Sequence, residues 1–427
     1  MPIVHAFIIA GGKGTRSKNP DLPKILQDVG NRTLLEHQLE SLDLNKVRKA
    51  TFLLGFGSEK VEKEIRRLDK KFPGIQIKTR IDGKDDNQVT ALQKALSENL
   101  DPNEIALIVL GDILWRDAIE EDLKDLVTSD FLAIILVHPN LHPSESDVFT
   151  LGTGNLYDNL VGKKESRIDI KSPSRALTGV FYLKRESLRY FSNRKEDLLE
   201  ALIRPLFLGK KLLIRNTSGY YQDTGTATRL LKAERDLKSG NLLRRGSRGR
   251  AAVFLDRDGT LVFNQGSPRK DILRSEILEP VARAIGRANS IGIPIFVVTN
   301  QPGIAKGKIS RADFLYTQAK LENLLADFGA VIDDFDYCPH YPHGGFPDEI
   351  SELKVVCSCR KPASDMILGL AKKHKVDLSS SILLGDSLAD QRVAGVLSMN
   401  FAKCSYAEKS SSNTADKLNV FLDGISS

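Results

Sequence analysis

Short apolar runs alternate with longer amphipathic stretches along the whole chain. Runs rich in Val, Ile, Leu and Phe occupy residues 4–10, 51–54, 105–110, 132–137, 252–255, 293–298 and 382–384. Apolar residues recur with helical spacing at residues 34–44, 227–237, 281–291 and 314–328. Apolar runs of this length between amphipathic helices are typical of strands buried in parallel sheets. The pattern therefore predicts an α/β fold.

One segment interrupts this pattern at residues 239–250, where Gly, Ser and Arg dominate and no hydrophobic period survives. Short, basic, Gly-rich segments are usually solvated connectors, although an arm that binds phosphate or nucleic acid would have the same composition. A strand pattern restarts at residue 251. We therefore predict one domain at residues 1–239, a basic linker at residues 240–250 and a second domain at residues 251–427.

Composition limits the class of protein. The chain has 427 residues, which suggests two or three domains at roughly 100–200 residues each. No apolar run approaches the ~20 residues that span a bilayer, and the first ten residues lack the features of a secretory signal. The net charge of +7 is modest and spread along the chain. We expect a cytoplasmic protein that binds neither membrane nor nucleic acid.

The spacing of three of the four cysteines predicts a metal site. Cys338 and His340 give C-x-H, and after sixteen residues Cys357 and Cys359 give C-x-C. Three thiolates and an imidazole suit structural Zn²⁺, with four ligands leaving no position for a substrate. His343 is the alternative imidazole. Because a disulfide framework is excluded by so few cysteines, this arrangement also indicates a reducing compartment.

The first strand runs directly into a glycine-rich loop suited to phosphate binding. Its glycines let backbone N–H groups approach a polyphosphate, and its two basic side chains add positive charge. Lys24, after Pro23, is placed to return to the same phosphates. The sequence GGKGTR…DLPKIL resembles the nucleotidyltransferases that make NDP-sugars from an NTP and a sugar 1-phosphate. We predict phosphate ligands or catalytic groups at Gly11, Gly12, Lys13, Gly14, Thr15, Arg16 and Lys24.

Two carboxylates complete the expected transferase site. Asp112 follows a buried-strand pattern, at the sheet edge where ligands bind in α/β folds. Asp223 stands in a D-T-G-T sequence before a helix, so it is either a metal ligand or an N-cap. The resemblance implies that Asp112 and Asp223 together hold Mg²⁺. It also places Thr178 and Gly179 at the sugar-binding segment.

A second set of motifs predicts phosphatase chemistry after residue 251. Asp256 and Asp258 follow a short strand at i and i+2, a spacing suited to a nucleophile and an acid/base. This D-R-D-G-T sequence resembles the haloacid dehalogenase (HAD) superfamily. The resemblance implies that Thr299 binds the phosphoryl oxygens and Lys361 neutralises charge. It further implies that Asp386 holds Mg²⁺ together with Asp256 and the backbone carbonyl of Asp258.

The sequences FLDRDGT, TNQPGIAKG and CPH…CSCRKP narrow this resemblance to the heptose bisphosphate phosphatases and the related histidinol-phosphatases. The resemblance implies that Asn300, Arg360 and Lys361 recognise substrate and phosphate. The chain departs from that family at residues 264–272, which lack its usual Gly-Tyr-Val. For Asp390, one helical turn after Asp386, a metal role and stabilisation of a helix N-terminus remain equal alternatives.

The two halves correspond to consecutive reactions. A bisphosphate phosphatase would release heptose 1-phosphate, and the nucleotidyltransferase would consume it with an NTP. We expect GTP, because the H-x-G-H motif of adenylyl-transferring enzymes is missing. The alternatives are a hexose 1-phosphate with histidinol phosphate or another phosphomonoester, and a nucleic-acid 3′-phosphatase. The expected fold is two Rossmann-like three-layer α/β domains, a nucleotidyltransferase fold and then a HAD-like fold with a zinc loop, using Mg²⁺ at both sites.

Overall fold

The computed structural model describes most of the chain in two compact units. One unit comprises Met1–Val137 with Leu177–Gly246, and the other comprises His138–Ala176 with Ser247–Ser427. Within the described part of the chain, no helix is both long and apolar enough to cross a membrane. The described residues are 2–12, 21–81, 87–139, 147–153, 157–162, 172–192, 197–264, 266–404 and 413–426.

Strands and helices alternate in much of the chain, as the hydrophobic pattern predicts, but among the described residues β8, β9, β10 and β11 follow one another without a helix between them. The strands are β1 (Ile3–Ile9), β2 (Asp28–Val29), β3 (Arg32–Thr33), β4 (Lys49–Leu54), β5 (Gln76–Ile81), β6 (Glu104–Leu110), β7 (Ile113–Arg116), β8 (Ala133–Pro139), β9 (Val148–Leu151), β10 (Tyr157–Val161), β11 (Ser174–Lys184), β12 (Leu212–Asn216), β13 (Tyr220–Asp223), β14 (Val253–Leu255), β15 (Ile295–Asn300), β16 (Asp334–Cys338), β17 (Ile382–Gly385) and β18 (Asn400–Lys403). The helices are α1 (Leu34–Leu44), α2 (Ser58–Asp69), α3 (Gln88–Asn99), α4 (Glu120–Thr128), α5 (Arg204–Leu208), α6 (Ala227–Lys238), α7 (Asn241–Gly246), α8 (Glu279–Ser290), α9 (Pro302–Ala305), α10 (Arg311–Ala326), α11 (Asp365–His374), α12 (Leu388–Val396) and α13 (Asn413–Ser426).

The first unit contains a mixed sheet with a parallel centre. β1 pairs in parallel with β4 and β6, and β4 pairs in parallel with β5. β11 runs antiparallel to β6, and β12 runs parallel to β8. Ala6, Phe7 and Ile8 in β1 are fully buried, as expected for a strand covered on both faces. The carboxyl ends of β1 and β6 therefore meet at one edge, where the predicted Gly11 and Asp112 lie.

The second unit contains a five-stranded parallel sheet in the order β16-β15-β14-β17-β18. β14 is central and entirely buried, and it ends directly before Asp256. Its neighbours β15 and β17 end at Asn300 and Gly385, so the predicted phosphatase motifs share one sheet edge. The predicted fold class is confirmed: both units are α/β with Rossmann-like parallel strands.

The predicted linker is partly helical. Residues Asn241–Gly246 form α7, and Leu242 is buried in a cluster with Leu114, Leu230 and Ala233. Apolar contact with the first unit therefore orders the start of a segment that composition alone describes as a solvated connector. The boundary between the two units lies after Gly246.

The segment at residues 138–176 also differs from the predicted division of the chain. It groups with the second unit, although the sequence places it inside the first domain. β9 pairs with β10 and with the first residues of β11, and Leu151 packs against an apolar cluster that includes Phe314 and Tyr337. The local amino-acid composition does not reveal these long-range contacts.

Candidate functional site

The loop after β1 is approached closely by two neighbouring chain segments. Gly11 and Gly12 directly follow β1. A Cβ atom on Gly55 would lie 2.8 Å from the carbonyl oxygen of Gly11, and one on Gly111 would lie 2.5 Å from that of Ile9. Glycine is therefore required at both positions for this approach. The other predicted phosphate ligands of this loop lie outside the described residues: Lys13, Gly14, Thr15 and Arg16.

Lys24 and the two predicted metal-binding carboxylates converge on one place. Lys24 Nζ lies 2.8 Å from Asp112 Oδ2. A Cβ atom on Gly225 would lie 2.8 Å from Asp223 Oδ1, 3.4 Å from Lys24 Nζ and 3.5 Å from Asp112 Oδ2. The carboxylates of Asp112 and Asp223 and the ammonium group of Lys24 thus surround Gly225, which has no side chain. The oxygens are of the type that Mg²⁺ prefers, so this set fits the ion that the sequence predicts.

Backbone pairing explains why these groups meet. β7 and β13 are antiparallel, with Asp223 opposite Ile113. The N–H and the hydroxyl of Thr224 each donate a hydrogen bond of 2.9 Å to the carbonyl oxygen of Asp112. The residues after β6 and after β13 are therefore fixed side by side.

The structure answers whether Asp223 acts as the cap of α6. The N-cap is Thr226, whose hydroxyl accepts a hydrogen bond from the N–H of Arg229. Asp223 instead pairs with the guanidinium of Arg229. Arg229 is missed by the sequence analysis. A basic residue in the first turn of a helix interacts unfavourably with the helix dipole. The placement of Arg229 in the first turn of α6 is therefore the sequence feature that could have revealed it.

Thr178, predicted to lie in the sugar-binding segment, is part of β11. Its side chain is buried, and its hydroxyl donates to the carbonyl of Leu136 and accepts from the N–H of Val180. The hydroxyl is therefore used in hydrogen bonds within the sheet. Gly179 has a φ of +80°, and a Cβ atom there would lie 2.8 Å from Ile113 Cγ1. It packs against the strand that follows Asp112.

In the second unit, a buried lysine lies between carboxylates. Lys361 Nζ lies 2.8 Å from Asp256 Oδ1 and 2.6 Å from Asp390 Oδ1. Oxygens of Asp256, Asp386 and Asp390 all lie within 4.8 Å of one another. Such an oxygen cluster fits the predicted Mg²⁺. Asp390 also accepts hydrogen bonds from Ser387 at the start of α12, so it caps the helix and pairs with the lysine.

Asp258 has different surroundings from Asp256. Its Oδ2 accepts hydrogen bonds from Arg257 Nη2 at 2.9 Å and from Gln301 Nε2 at 2.8 Å. Arg269 Nε lies 3.6 Å from Oδ1. Gln301, which the sequence analysis quoted without a role, also donates to the Thr299 hydroxyl. Asp258 is thus held by three side chains.

These surroundings separate the acidities of the two carboxyl groups. Burial raises the pKa of Asp256 to about 6, against the opposing effect of the Lys361 charge. Burial also acts to raise the pKa of Asp258, but Arg257, Gln301 and Arg269 outweigh it and hold that pKa below its ordinary value. The two carboxyl groups therefore differ in acidity before any metal ion is bound.

Gly259 is required by the turn that brings these residues together. Its φ is +99°, a conformation that side chains rarely adopt, and a Cβ atom would overlap the carboxylate of Asp386. The glycine of the D-R-D-G-T motif therefore allows the loop after β14 and the loop after β17 to touch.

Two of the predicted substrate ligands, Asn300 and Arg360, form hydrogen bonds with the protein backbone. Asn300 forms a reciprocal pair with the backbone of Lys361, at 3.1 Å to its carbonyl and 3.0 Å from its N–H. Asn300 therefore positions Lys361, one of the residues predicted to bind phosphate. Thr299 lies buried at the end of β15. Arg360 donates to the carbonyl of His340 and lies over the ring of Tyr341, 5.4 Å from its centre.

The four predicted zinc ligands form one cluster. The Sγ atom of Cys338 lies 3.5 Å from that of Cys357 and 3.1 Å from that of Cys359, and these last two are 3.3 Å apart. His340 Nδ1 lies 3.2 Å from Cys359 Sγ. Tetrahedral Zn²⁺ with Zn–S bonds near 2.3 Å places sulfur atoms about 3.8 Å apart, so the donors fit that ion. His343 is exposed and lies outside the cluster.

Comparison with known proteins agrees with two kinds of chemistry in one chain. The nucleotidyl transferase family model matches residues 5–240. The D-glycero-beta-D-manno-heptose-1,7-bisphosphate 7-phosphatase of Escherichia coli (strain K12) is 36% identical over 143 residues, covering 34% of this chain and 72% of that protein.

Two solved structures align with parts of the chain. One, assigned as a glucose-1-phosphate thymidylyltransferase from Bacillus anthracis, has a TM-score of 0.47 and 19% identity and covers 54% of this chain and 94% of that chain. The other, assigned as a HAD-like phosphatase from Mesorhizobium loti, has a TM-score of 0.36 and 25% identity and covers 42% of this chain and 88% of that chain.

The acidity of Asp256 predicts a pH profile. A carboxyl group must be ionised to attack phosphorus, and its pKa here is about 6. The logarithm of kcat/KM for phosphate release should therefore decrease with unit slope below about pH 6 and reach a plateau above it. Stopped assays across a buffer series measure this. A rate that stays constant down to about pH 4.5 would contradict a raised pKa of Asp256 in the working enzyme.

The thiol cluster predicts a metal requirement confined to one activity. When zinc is removed with a chelator and both activities are then assayed with Mg²⁺ in excess over the chelator, phosphate release should be abolished, because the loop that carries Lys361 begins at Cys359, while nucleotidyl transfer should persist. Cys357→Ala should lose the bound zinc, measured by atomic absorption, and Cys404→Ala should retain it as the matched control. Zinc retention in Cys357→Ala, or equal loss of both activities on chelation, would disprove the assignment.

Proposed function

Because this chain belongs to the nucleotidyl transferase and heptose-bisphosphate 7-phosphatase families, we propose that it catalyses consecutive steps in making a nucleotide-activated heptose. The second unit would remove the C7 phosphate from D-glycero-D-manno-heptose 1,7-bisphosphate. The first unit would then transfer a nucleotidyl group from an NTP to the resulting heptose 1-phosphate and release pyrophosphate. The product of one reaction is the substrate of the other.

One observation carries this proposal: each unit holds its own site of lysine and carboxylates. Lys24 meets Asp112 and Asp223 in the first unit. Lys361 meets Asp256 and Asp390 in the second. An enzyme with a single activity would need only one of these sites.

For phosphate release, we assign Asp256 as the nucleophile that attacks the C7 phosphorus. Lys361 balances the charge of Asp256 and of the phosphoryl group. Asp258 protonates the departing sugar oxygen and then takes a proton from the water that hydrolyses the phosphoenzyme. Asp256 and Asp386, with the backbone carbonyl of Asp258, would hold Mg²⁺, which when bound supplies neutralisation of phosphoryl charge.

For nucleotidyl transfer, the loop after β1 binds the triphosphate and Lys24 approaches its phosphates. Asp112 and Asp223 would hold Mg²⁺, which supplies charge neutralisation during in-line displacement at the α-phosphorus. We expect GTP to be the donor, because the chain contains no H-x-G-H sequence. Arg16 would add charge at the triphosphate.

We place both reactions in the cytoplasm. The cysteines of the described chain are free thiols, and three of them form the metal cluster. Free thiols held for metal binding are typical of reducing compartments. Zn²⁺ would be structural here, since the four protein ligands leave no position for substrate.

Two substitutions should separate the activities. With heptose 1,7-bisphosphate and GTP, Asp256→Asn should reduce phosphate release by about a thousandfold or more, because the nucleophile is removed. It should leave pyrophosphate release from added heptose 1-phosphate unchanged. Lys24→Ala should do the reverse, with a loss of about a hundredfold or more. Phosphate, pyrophosphate and NDP-sugar are measured in the same reactions.

The matched controls are Asp416→Asn and Lys63→Ala, exposed positions in α13 and α2, which should keep both activities. Parallel assays with ATP, CTP and UTP, and with hexose 1-phosphate and histidinol phosphate, identify the substrates. The proposal is wrong if no NTP yields pyrophosphate and NDP-sugar. It is also wrong if either substitution removes both activities in a folded protein.

A further inference from the structure

The nucleotidyl transferase match and the structural division of the chain disagree over one segment. The family model covers residues 5–240, but residues 138–176 belong to the second compact unit. The chain therefore changes unit three times: after Val137, after Ala176 and after Gly246. A simple fusion of two enzymes would require only the last of these changes.

The described part of this segment contains the antiparallel end of the nine-stranded sheet, which we call the docking segment. It consists of β9, β10 and the first three residues of β11. Arg175 of β11 stands opposite Phe149 of β9, and Leu151 N–H donates to the carbonyl oxygen of Pro173. Backbone hydrogen bonds thus hold Arg175 in a fixed position.

A buried ion pair joins the docking segment to α10. Arg175 Nη1 lies 2.8 Å from Glu322 Oε2, and Nη2 lies 3.3 Å from Oε1. The two side chains are 3% and 15% exposed. Gln318, one turn earlier in α10, donates to Glu322 Oε1 at 3.2 Å. A two-bond arginine–carboxylate pair that is also buried gives both orientation and specificity.

Apolar and polar contacts surround this pair. Leu151 of β9 packs against the apolar cluster that contains Phe314 and Leu315 of α10. Arg311 at the start of α10 donates to the carbonyl oxygen of Thr153. The docking segment therefore contacts α10 from its first turn to Glu322 in its last two turns.

The same helix supports the phosphatase acid/base. The guanidinium of Arg257 lies over the Phe314 ring, 5.0 Å from its centre, and donates to Thr317. Arg257 in turn holds Asp258. A helix that orients this arginine must be well fixed, and Glu322 anchors it at the other end.

We propose that the docking segment is an intramolecular binding surface for α10, with the Arg175–Glu322 pair as its specific contact. The N-terminal part of the chain would then bind the C-terminal part without the covalent connection after Gly246. Neither activity is required for this association, so it can be tested independently of the proposed function.

The test uses the full-length chain with a protease recognition sequence inserted after Gly246. After cleavage, the wild-type fragments should elute together from a sizing column. In Arg175→Glu, the reversed charge faces Glu322, and removing a partner from a buried pair is strongly destabilising. The dissociation constant of the cleaved fragments should increase by about a hundredfold or more, measured by dilution or by titration of separated fragments.

Three further variants make the result specific. Glu322→Arg should weaken association in the same way, and the double variant Arg175→Glu with Glu322→Arg should recover at least part of the affinity. Arg283→Glu breaks an exposed pair with Glu279 in the same unit and should have no effect. If Arg175→Glu fails to fold in the intact chain, judged by circular dichroism, Glu322→Gln provides the decisive comparison.

Two outcomes would overturn the proposal. One is separation of the wild-type fragments after cleavage, which would show that the docking segment does not bind α10 strongly. The other is unchanged affinity in the folded Arg175 and Glu322 variants, which would assign the association to other contacts.

Discussion

The pairing of one buried ammonium group organises the second unit. The Lys361 side chain is 2% exposed and contacts Asp256 and Asp390, which are themselves 12% and 0% exposed. A buried charge that loses a partner destabilises a protein by about 3–5 kcal/mol. Asp256, Asp390 and Lys361 therefore have to stay together. Asn300 fixes the backbone of Lys361 in the position that makes this possible.

The lysine of the first unit is held less tightly, and the difference has a chemical consequence. Lys24 and Asp112 are 20% and 25% exposed, so water screens their attraction and an exchange of partners is less costly. Lys24 can release Asp112 when a phosphate arrives, which frees that carboxylate for a metal ion. Lys361 has no such freedom, since its two partners are buried with it. The first site is thus suited to rearrangement on substrate binding, and the second is largely arranged beforehand.

Site residues that directly follow a strand are the easiest to predict from the sequence. In the second unit, Asp256 and Asp386 lie close together because the parallel strands β14 and β17 end at the same edge of their sheet. In the first unit, Asp112 follows β6 at the corresponding edge and meets Lys24. The zinc cluster also followed from spacing alone. The strand pattern gave the α/β fold without further information, since fully buried parallel strands are recognisable as apolar runs.

The residues that the sequence does not reveal are defined by side-chain contacts without a periodic pattern. Arg229 is defined by an ion pair with Asp223 and Gln301 by its bond to Asp258, and neither pair has a periodic signal. Thr178 stands at the expected position, but its hydroxyl is turned into the sheet. The sequence identifies which residues are near a site, while orientation depends on packing that only the folded chain defines.

The division of the chain shows the same limit on a larger scale. Composition marks residues 239–250 as a connector because Gly and Arg are common there, yet Leu242 makes half of it a packed helix. Conversely, residues 138–176 carry no compositional sign of a boundary. β9 and β10 pair with β11 in the nine-stranded sheet, and the Arg175–Glu322 contact groups the segment with the second unit. Strand pairing and buried charge, rather than composition, therefore decide which residues fold together.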